Sequence, residues 1–229
     1  MEENKFFKLV WRFNGLIISI AGLLAIVVLL FASYEIYKST TRDRSTRNMV
    51  NVDEGEEINE KWRYGQLNEV VGTNYFMLPL HSDQTFSRAY FSKSAYSTRN
   101  YLFINTETSE KKWLFDHTDY LIQSTDRLRL GSYDSEEPII AILYTLVKID
   151  SDQNSRLTIE DLSTIAVTKT DGSNYKELIS GVELIVDHEL INEKELLLIY
   201  QKSGVSYSSI LDLENLEITK NEKIPSLGV

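Results

Sequence analysis

The sequence predicts a mainly β protein: a single N-terminal transmembrane helix followed by an antiparallel β domain. Three observations carry that reading. Gly15 to Ser33 run for 19 residues without a charge. Beyond residue 60 the apolar residues fall into short β-branched and aromatic runs at intervals of about ten, with turn residues between them. Two stretches of that domain also repeat one another, at a period of about 40 residues.

The chain opens with a short basic arm, residues 1–14, carrying Lys5, Lys8 and Arg12. The helix is expected over 15–37. At about 1.5 Å per residue its uncharged run is roughly 28 Å long, close to the hydrocarbon thickness of a bilayer. Trp11, Phe13, Tyr34 and Tyr37 stand where an aromatic belt meets headgroups. A cleaved signal peptide would have a shorter apolar stretch and a small-x-small site, whereas bulky Tyr34, Glu35 and Ile36 follow Ser33. The helix is therefore read as a retained anchor.

Orientation rests on two opposed signals. Lys38, Arg42, Arg44 and Arg47 outnumber the basic residues of the arm and favour a cytoplasmic C-terminal domain. The short arm and the total lack of Cys favour a domain outside the cytoplasm. The expectation is a single-pass protein whose domain is periplasmic or extracellular.

Within the span, Gly15, Ser19, Gly22 and Ala25 lie at spacings of four, three and three, hence along one face. Small residues so aligned let another helix approach closely, be it an integral membrane partner or a second copy. With no ionisable residue inside, the span is neither an ion path nor a proton relay.

Residues 38–60 are polar, charged and without apolar periodicity, the pattern of a juxtamembrane linker. Its basic part, Arg42 to Arg47, suits anionic headgroups, and its acidic part, Asp53 to Glu57, is repelled by them. Charge then divides the chain. Residues 1–48 hold seven Lys/Arg and four Asp/Glu, while the remainder holds 17 and 30. An acidic domain of this balance excludes nucleic acid as a partner.

The domain, residues 61–229, is long enough for one core. Tyr101–Ile104 and Lys111–Phe115 flank the turn-like NTETSE and predict a hairpin. Ile139 to Ile149 is almost continuously apolar, as a strand covered on both faces should be. Ser163–Thr168 leads into Asp171-Gly172, a strong turn signal. Val182–Val186, Glu195–Gln201 and Tyr207–Asp212 continue the series of strands. Helix is expected only at Ile58–Tyr64, with a helical turn at Ile159–Leu162.

The repeated stretches are Ile139–Ile179 and Val182–Ile218. In the first, Thr170-Asp171-Gly172-Ser173-Asn174-Tyr175-Lys176-Glu177-Leu178 resembles the DG-x-N-x-x-x-L end of a TolB-type β-propeller repeat. In the second, Leu211-Asp212-Leu213-Glu214-Asn215-Leu216 is similar to the D-L-x-T-x of other blades, with Asn215 in place of Thr. The resemblance implies propeller-like blades; a sandwich built from similar meanders is the other architecture open to these strands. It implies little about chemistry, since propellers serve many functions.

One local pattern suits a ligand. Asp150 to Asp161 (DSDQNSRLTIED) is EF-hand-like: Asp150, Asp152 and Asn154 match D-x-[DN]-x-[DN], with Arg156 and Thr158 at the next alternate positions and Asp161 last. Oxygens at alternate positions can converge on a hard cation. Three departures weaken the site: Ser155 replaces the turn glycine, Arg156 is itself cationic, and Asp161 is shorter than the usual Glu. Any calcium is expected to be weakly held, and no other cofactor is expected. The three histidines, His81, His117 and His188, are not at metal-ligand spacing, and no nucleophile or phosphate-loop motif is present.

These observations predict a noncatalytic accessory or regulatory subunit of a membrane complex. Its helix would pack on an integral membrane partner, and its domain would contact that partner's extramembrane face. The alternative is an anchored extracytoplasmic sensor that binds calcium or a small ligand.

Overall fold

The computed structural model describes residues 5–41, 46–52, 59–88, 91–131 and 136–225. The chain divides into two units, Met1–Arg44 and Ser45–Val229. The first is one helix, α1 (Lys5–Thr41), which extends beyond 15–37 at both ends. Its segment Val10–Tyr34 is long and apolar enough to cross a membrane, and none of it is buried. That helix with its β domain fits a membrane-anchored protein.

The second unit is built from three consecutive antiparallel meanders. The first comprises β3 (Asn59–Tyr64) and β4 (Asn68–Glu69), which both pair with β5 (Tyr75–Arg88), then β6 (Phe91–Asn105) and β7 (Lys111–Trp113). The second comprises β8 (Leu121–Leu128), β9 (Ala141–Val147), β11 (Ser163–Thr168) and β12 (Lys176–Val182). The third is β13 (Leu184–Asn192), β14 (Glu195–Lys202), β15 (Val205–Asp212) and β16 (Glu217–Lys223), a separate four-stranded sheet. A single bridge, Thr98 to Ile122, joins the first two into one sheet. Two short strands precede them: β1 (Thr46–Arg47) lies parallel to β6, and β2 (Val50–Asn51) pairs with β10 (Arg156–Leu157).

The meanders stack face to face, and side-chain alternation shows how. All of β9 is buried. Its Ile142, Tyr144 and Leu146 point to one face and pack with Met77 and Phe103 of the first meander. Ala141 and Leu143 point to the other and pack with Leu196, Leu198, Tyr200 and Leu211 of the third. Val147 joins Val50, Leu121 and Leu157 in a small third cluster. The domain is mainly β and propeller-like, with the second meander as the middle layer.

The hairpin flanking NTETSE, the buried strand within Ile139–Ile149, and the strands at 163–168, 195–201 and 207–212 are all present. Other segments differ. The sequence predicts helix over Ile58–Tyr64, but 59–64 form β3 beside β5, because the partner strand overrides a weak local preference. Val182–Val186 is not one strand: the chain changes sheets at Glu183, whose N–H donates to the Gln201 carbonyl at 2.9 Å. The 38–60 stretch, expected as a linker, contributes β1 and β2, and Val50 is 1% exposed. Arg42–Ser45 and the acidic Asp53–Glu57 lie outside the described residues.

Candidate functional site

In each meander the turn between the last two strands is held by a side-chain oxygen that accepts the backbone N–H two residues on. In the second, Asp171 Oδ1 accepts the Ser173 N–H at 2.9 Å, and the Lys169 N–H donates to the Ser173 carbonyl at 3.0 Å. Gly172 has φ +74, and a Cβ there would run into the Phe103 ring. The turn therefore needs glycine twice over, for its dihedral and for contact with the neighbouring meander. In the third, Asp212 Oδ1 accepts the N–H groups of Glu214 at 2.7 Å and Asn215 at 3.3 Å, and Leu216 follows at φ 55. In the first, Asn105 Oδ1 accepts from Glu107 at 2.9 Å and Thr108 at 3.0 Å, and Ser109 follows at φ 61. Asn105 to Ser109 thus repeats the turn of the third meander, with amide in place of carboxylate. Lys169 ties the turns of the second and third meanders together: its Nζ donates to the Leu213 carbonyl at 2.8 Å and the Glu214 carbonyl at 2.7 Å.

The loop Asp150–Asp161 brings oxygens of Asp150, Asp152 and Asp161 within 4.8 Å of one another. Most of their acceptor capacity is already used. Asp161 Oδ1 accepts from the Ser151 N–H at 2.7 Å and its hydroxyl at 3.0 Å, and Oδ2 accepts the Thr158 N–H at 2.8 Å. Asp150 accepts the N–H groups of Asn154 at 3.1 Å and Ser155 at 2.7 Å. Asp152 accepts from the Asn154 backbone and from its Nδ2 at 2.7 Å. Asn154 thus spends its amide as a donor to Asp152. Burial alone would raise the Asp161 pKa, but hydrogen bonds from Thr158, Ser151 and Asp152 outweigh it and hold the carboxyl below its usual range. Ser155 takes φ 63, so the position where the calcium-loop pattern has glycine does turn left-handed here. Arg156 and Leu157 form β10, and Thr158 hydroxyl accepts the Glu160 N–H at 3.1 Å, which opens the turn expected at 159–162.

On α1, Ser19 Oγ donates to the Gly15 carbonyl at 2.8 Å, so this hydroxyl is satisfied within its own helix. A Cβ at Gly15 or Gly22 would meet nothing within 4 Å.

Two further features lie outside the sequence-based expectations. A groove of about 480 Å³ runs between β8 and β13, with Gln123, Ser124, Asp126, Thr145, Asp187 and His188 among its walls. His188 lies on β13, the edge strand of the third meander. The second feature is an aromatic face on the first meander. Tyr64 and Trp113, on β3 and β7, stack at 6.5 Å across the two strands between them. With Trp62, they are 44%, 59% and 37% exposed for Trp62, Tyr64 and Trp113 respectively. Their spacing along the chain hides this, because two strands about fifty residues apart in sequence supply them.

No known protein family matches the chain, and no curated protein matches it. Among solved structures, it is similar to the β-propeller domain of the trilobed protease from Pyrococcus furiosus, described as having an open velcro topology. That similarity is at 14% identity and a TM-score of 0.37, over 72% of this chain and 44% of that one. It is also similar to a luciferin-regenerating enzyme at 11% identity and a TM-score of 0.34, over 74% and 64% respectively. The chain spans less than two thirds of the length of either.

Proposed function

We propose that the protein is a noncatalytic, single-span accessory or regulatory subunit whose helix packs on an integral membrane partner. The observation that supports this most directly is the uncovered helix Val10–Tyr34, carrying the smooth face Gly15, Ser19, Gly22 and Ala25. Small residues let helix backbones approach, and in lipid that packing replaces the hydrophobic effect as the driving force. The β domain, on the periplasmic or extracellular side, contacts the partner's extramembrane face. Gentle detergent extraction should recover the partner with the chain, and Gly22→Ile should reduce that recovery while leaving membrane insertion intact. Equal behaviour of Leu23→Ile and Gly22→Ile would remove the face from the account.

A second reading, an anchored sensor, draws on the Asp150–Asp152–Asp161 cluster and the β8–β13 groove. The carboxylates are engaged by local donors, so a cation must displace several hydrogen bonds to enter. Calcium titration of the detergent-solubilised chain should show no heat, or a Kd of about 10⁻⁴–10⁻³ M. A micromolar site abolished by Asp152→Ala would favour the sensor.

A further inference from the structure

The walls of the groove between β8 and β13 are strand edges. Side chains of a strand alternate between two faces, so a sheet face lends a groove every second residue. Here the third meander contributes residues 183–188 without a gap. Past His188 the groove continues into a second hollow of about 270 Å³, lined by residues 125–129 and 188–190, again without a gap. Consecutive residues line a groove when the strand is met edge-on. The pairing agrees, among the described residues. β13 pairs with β14 alone. β8 pairs with β9 on one side and meets β6 on the other only at the bridge from Thr98 to Ile122. Two rows of backbone N–H and C=O groups without a strand partner thus flank the slot, over about 20 Å of β13 at roughly 3.3 Å per residue.

The charge of the walls selects what can lie there. Asp126, Glu183, Asp187 and Glu189 line the slot, and among the described residues none of them forms an ion pair. Three accept hydrogen bonds from uncharged donors. Asp126 takes the Ser124 hydroxyl at 3.3 Å, Glu183 the Gly204 N–H at 3.0 Å, and Asp187 the His188 N–H at 2.8 Å. Of the cations, Arg127 donates from Nη1 to the Glu69 carbonyl of the first meander at 3.2 Å, and Arg129 lies beyond the end of β8. Apolar Leu184 and Val186 stand beside the acids, 54% and 56% exposed. A second copy of β13 does not suit this edge, because Asp187 and Glu189 would meet their own kind. A strand that alternates basic and apolar residues does suit it.

We infer that the slot accepts an extended, basic segment of the membrane partner as an added strand. Its backbone pairs with the free edge of β13, and its Lys or Arg side chains meet Asp126, Glu183, Asp187 and Glu189. Backbone pairing supplies affinity, and the acids supply direction and choice of partner. The inference rests on the accessory-subunit reading and names what the partner offers to the domain.

The probe is a fluorescein-labelled octapeptide of alternating Lys and Val, titrated with the detergent-solubilised full chain and read by fluorescence polarisation. Saturable binding that weakens as salt rises is expected, with no binding of the matching Glu–Val octapeptide. The fully N-methylated Lys–Val peptide keeps its charges but has no N–H to donate, and should bind about tenfold more weakly or worse. Asp126→Asn with Asp187→Asn should weaken the parent peptide about tenfold. Glu107→Gln with Glu110→Gln removes the same charge from an exposed turn of the first meander and should leave binding unchanged. No binding, equal binding of the Glu–Val or N-methylated peptide, or equal loss from the two double substitutions would each overturn the inference. The peptide series uses wild-type protein, so it decides even where a variant misfolds. It also needs no partner: failure here with partner recovery intact removes the slot alone, whereas peptide binding without any recovered partner strikes the accessory reading and leaves the strand site standing.

Discussion

The middle meander and the two that flank it have the same four-stranded topology but are written in different residues. In the middle one, β9 is buried on both faces, and its sequence, AILYTLV, is apolar at almost every position. In the third, β14 reads ELLLIYQK, and Leu196, Leu198 and Tyr200 are buried while Leu197 and Ile199 are only half-buried. The difference is a matter of layer rather than of strand type: a sheet with neighbours on both sides must be apolar on both. The hydrophobic pattern of a strand therefore reports its depth in the stack.

The largest break in that comparison comes from emptying the middle layer. Tyr144 is fully buried, and its hydroxyl lies 3.3 Å from Thr168 Oγ1. Tyr144→Ala should destabilise by about 3–5 kcal/mol, because it opens an enclosed cavity and strands the Thr168 hydroxyl. Ile199→Ala, outward on the third meander, should cost on the order of 1 kcal/mol. Chemical denaturation midpoints of the two variants check the ratio; equal losses would mean that the layers are not distinct.

A sharper test concerns the loop that leaves β9. Asp161 is held below its usual pKa in the folded chain, so it binds its proton more weakly than when unfolded. Its contribution is thus complete above the unfolded value of about 3.9 and lost as pH falls through the lower folded value. Asp161→Asn should cost on the order of 1 kcal/mol at neutral pH and flatten the acid limb of the stability profile. An unchanged acid limb would show that the loop does not depend on this carboxylate.

The smallest effect is expected between layers at the surface. Lys176 Nζ lies 2.6 Å from Glu217 Oε1, linking the second and third meanders, with side chains 44% and 62% exposed. Exposed pairs contribute about 0–1 kcal/mol, so Lys176→Ala should barely move the denaturation midpoint.

Much of this was legible in the sequence, and the exceptions have physical causes. The span, the hairpin around NTETSE and the strand at 141–147 are set by local pattern. β2 was not legible, because Val50 is buried by pairing with Leu157 and packing on Leu121 and Val147, all distant in the chain. β3 was misread as helix because its burial is slight and its conformation is imposed by β5. The turn of the first meander was not legible as a counterpart of the third, because Asn105 stands where the third has Asp212. Spacing disclosed the acidic loop, yet spacing says nothing of donors: the N–H groups of Ser151, Thr158 and Ser155 that occupy its carboxylates depend on the folded turn. The aromatic face needed strand order, since Tyr64 and Trp113 come together only across β5 and β6.

Native-state hydrogen exchange, read by mass spectrometry on the detergent-solubilised full chain, tests the three-layer arrangement most directly. Amides deepest in a fold exchange only on global opening, whereas outer elements open locally. The account predicts that peptides covering Ala141–Val147 and Ser163–Thr168 exchange last, after those of β14–β15 and of β5–β6. Slowest exchange in β14–β15 or β5–β6, with β9 and β11 opening earlier, would contradict the placement of the second meander at the centre.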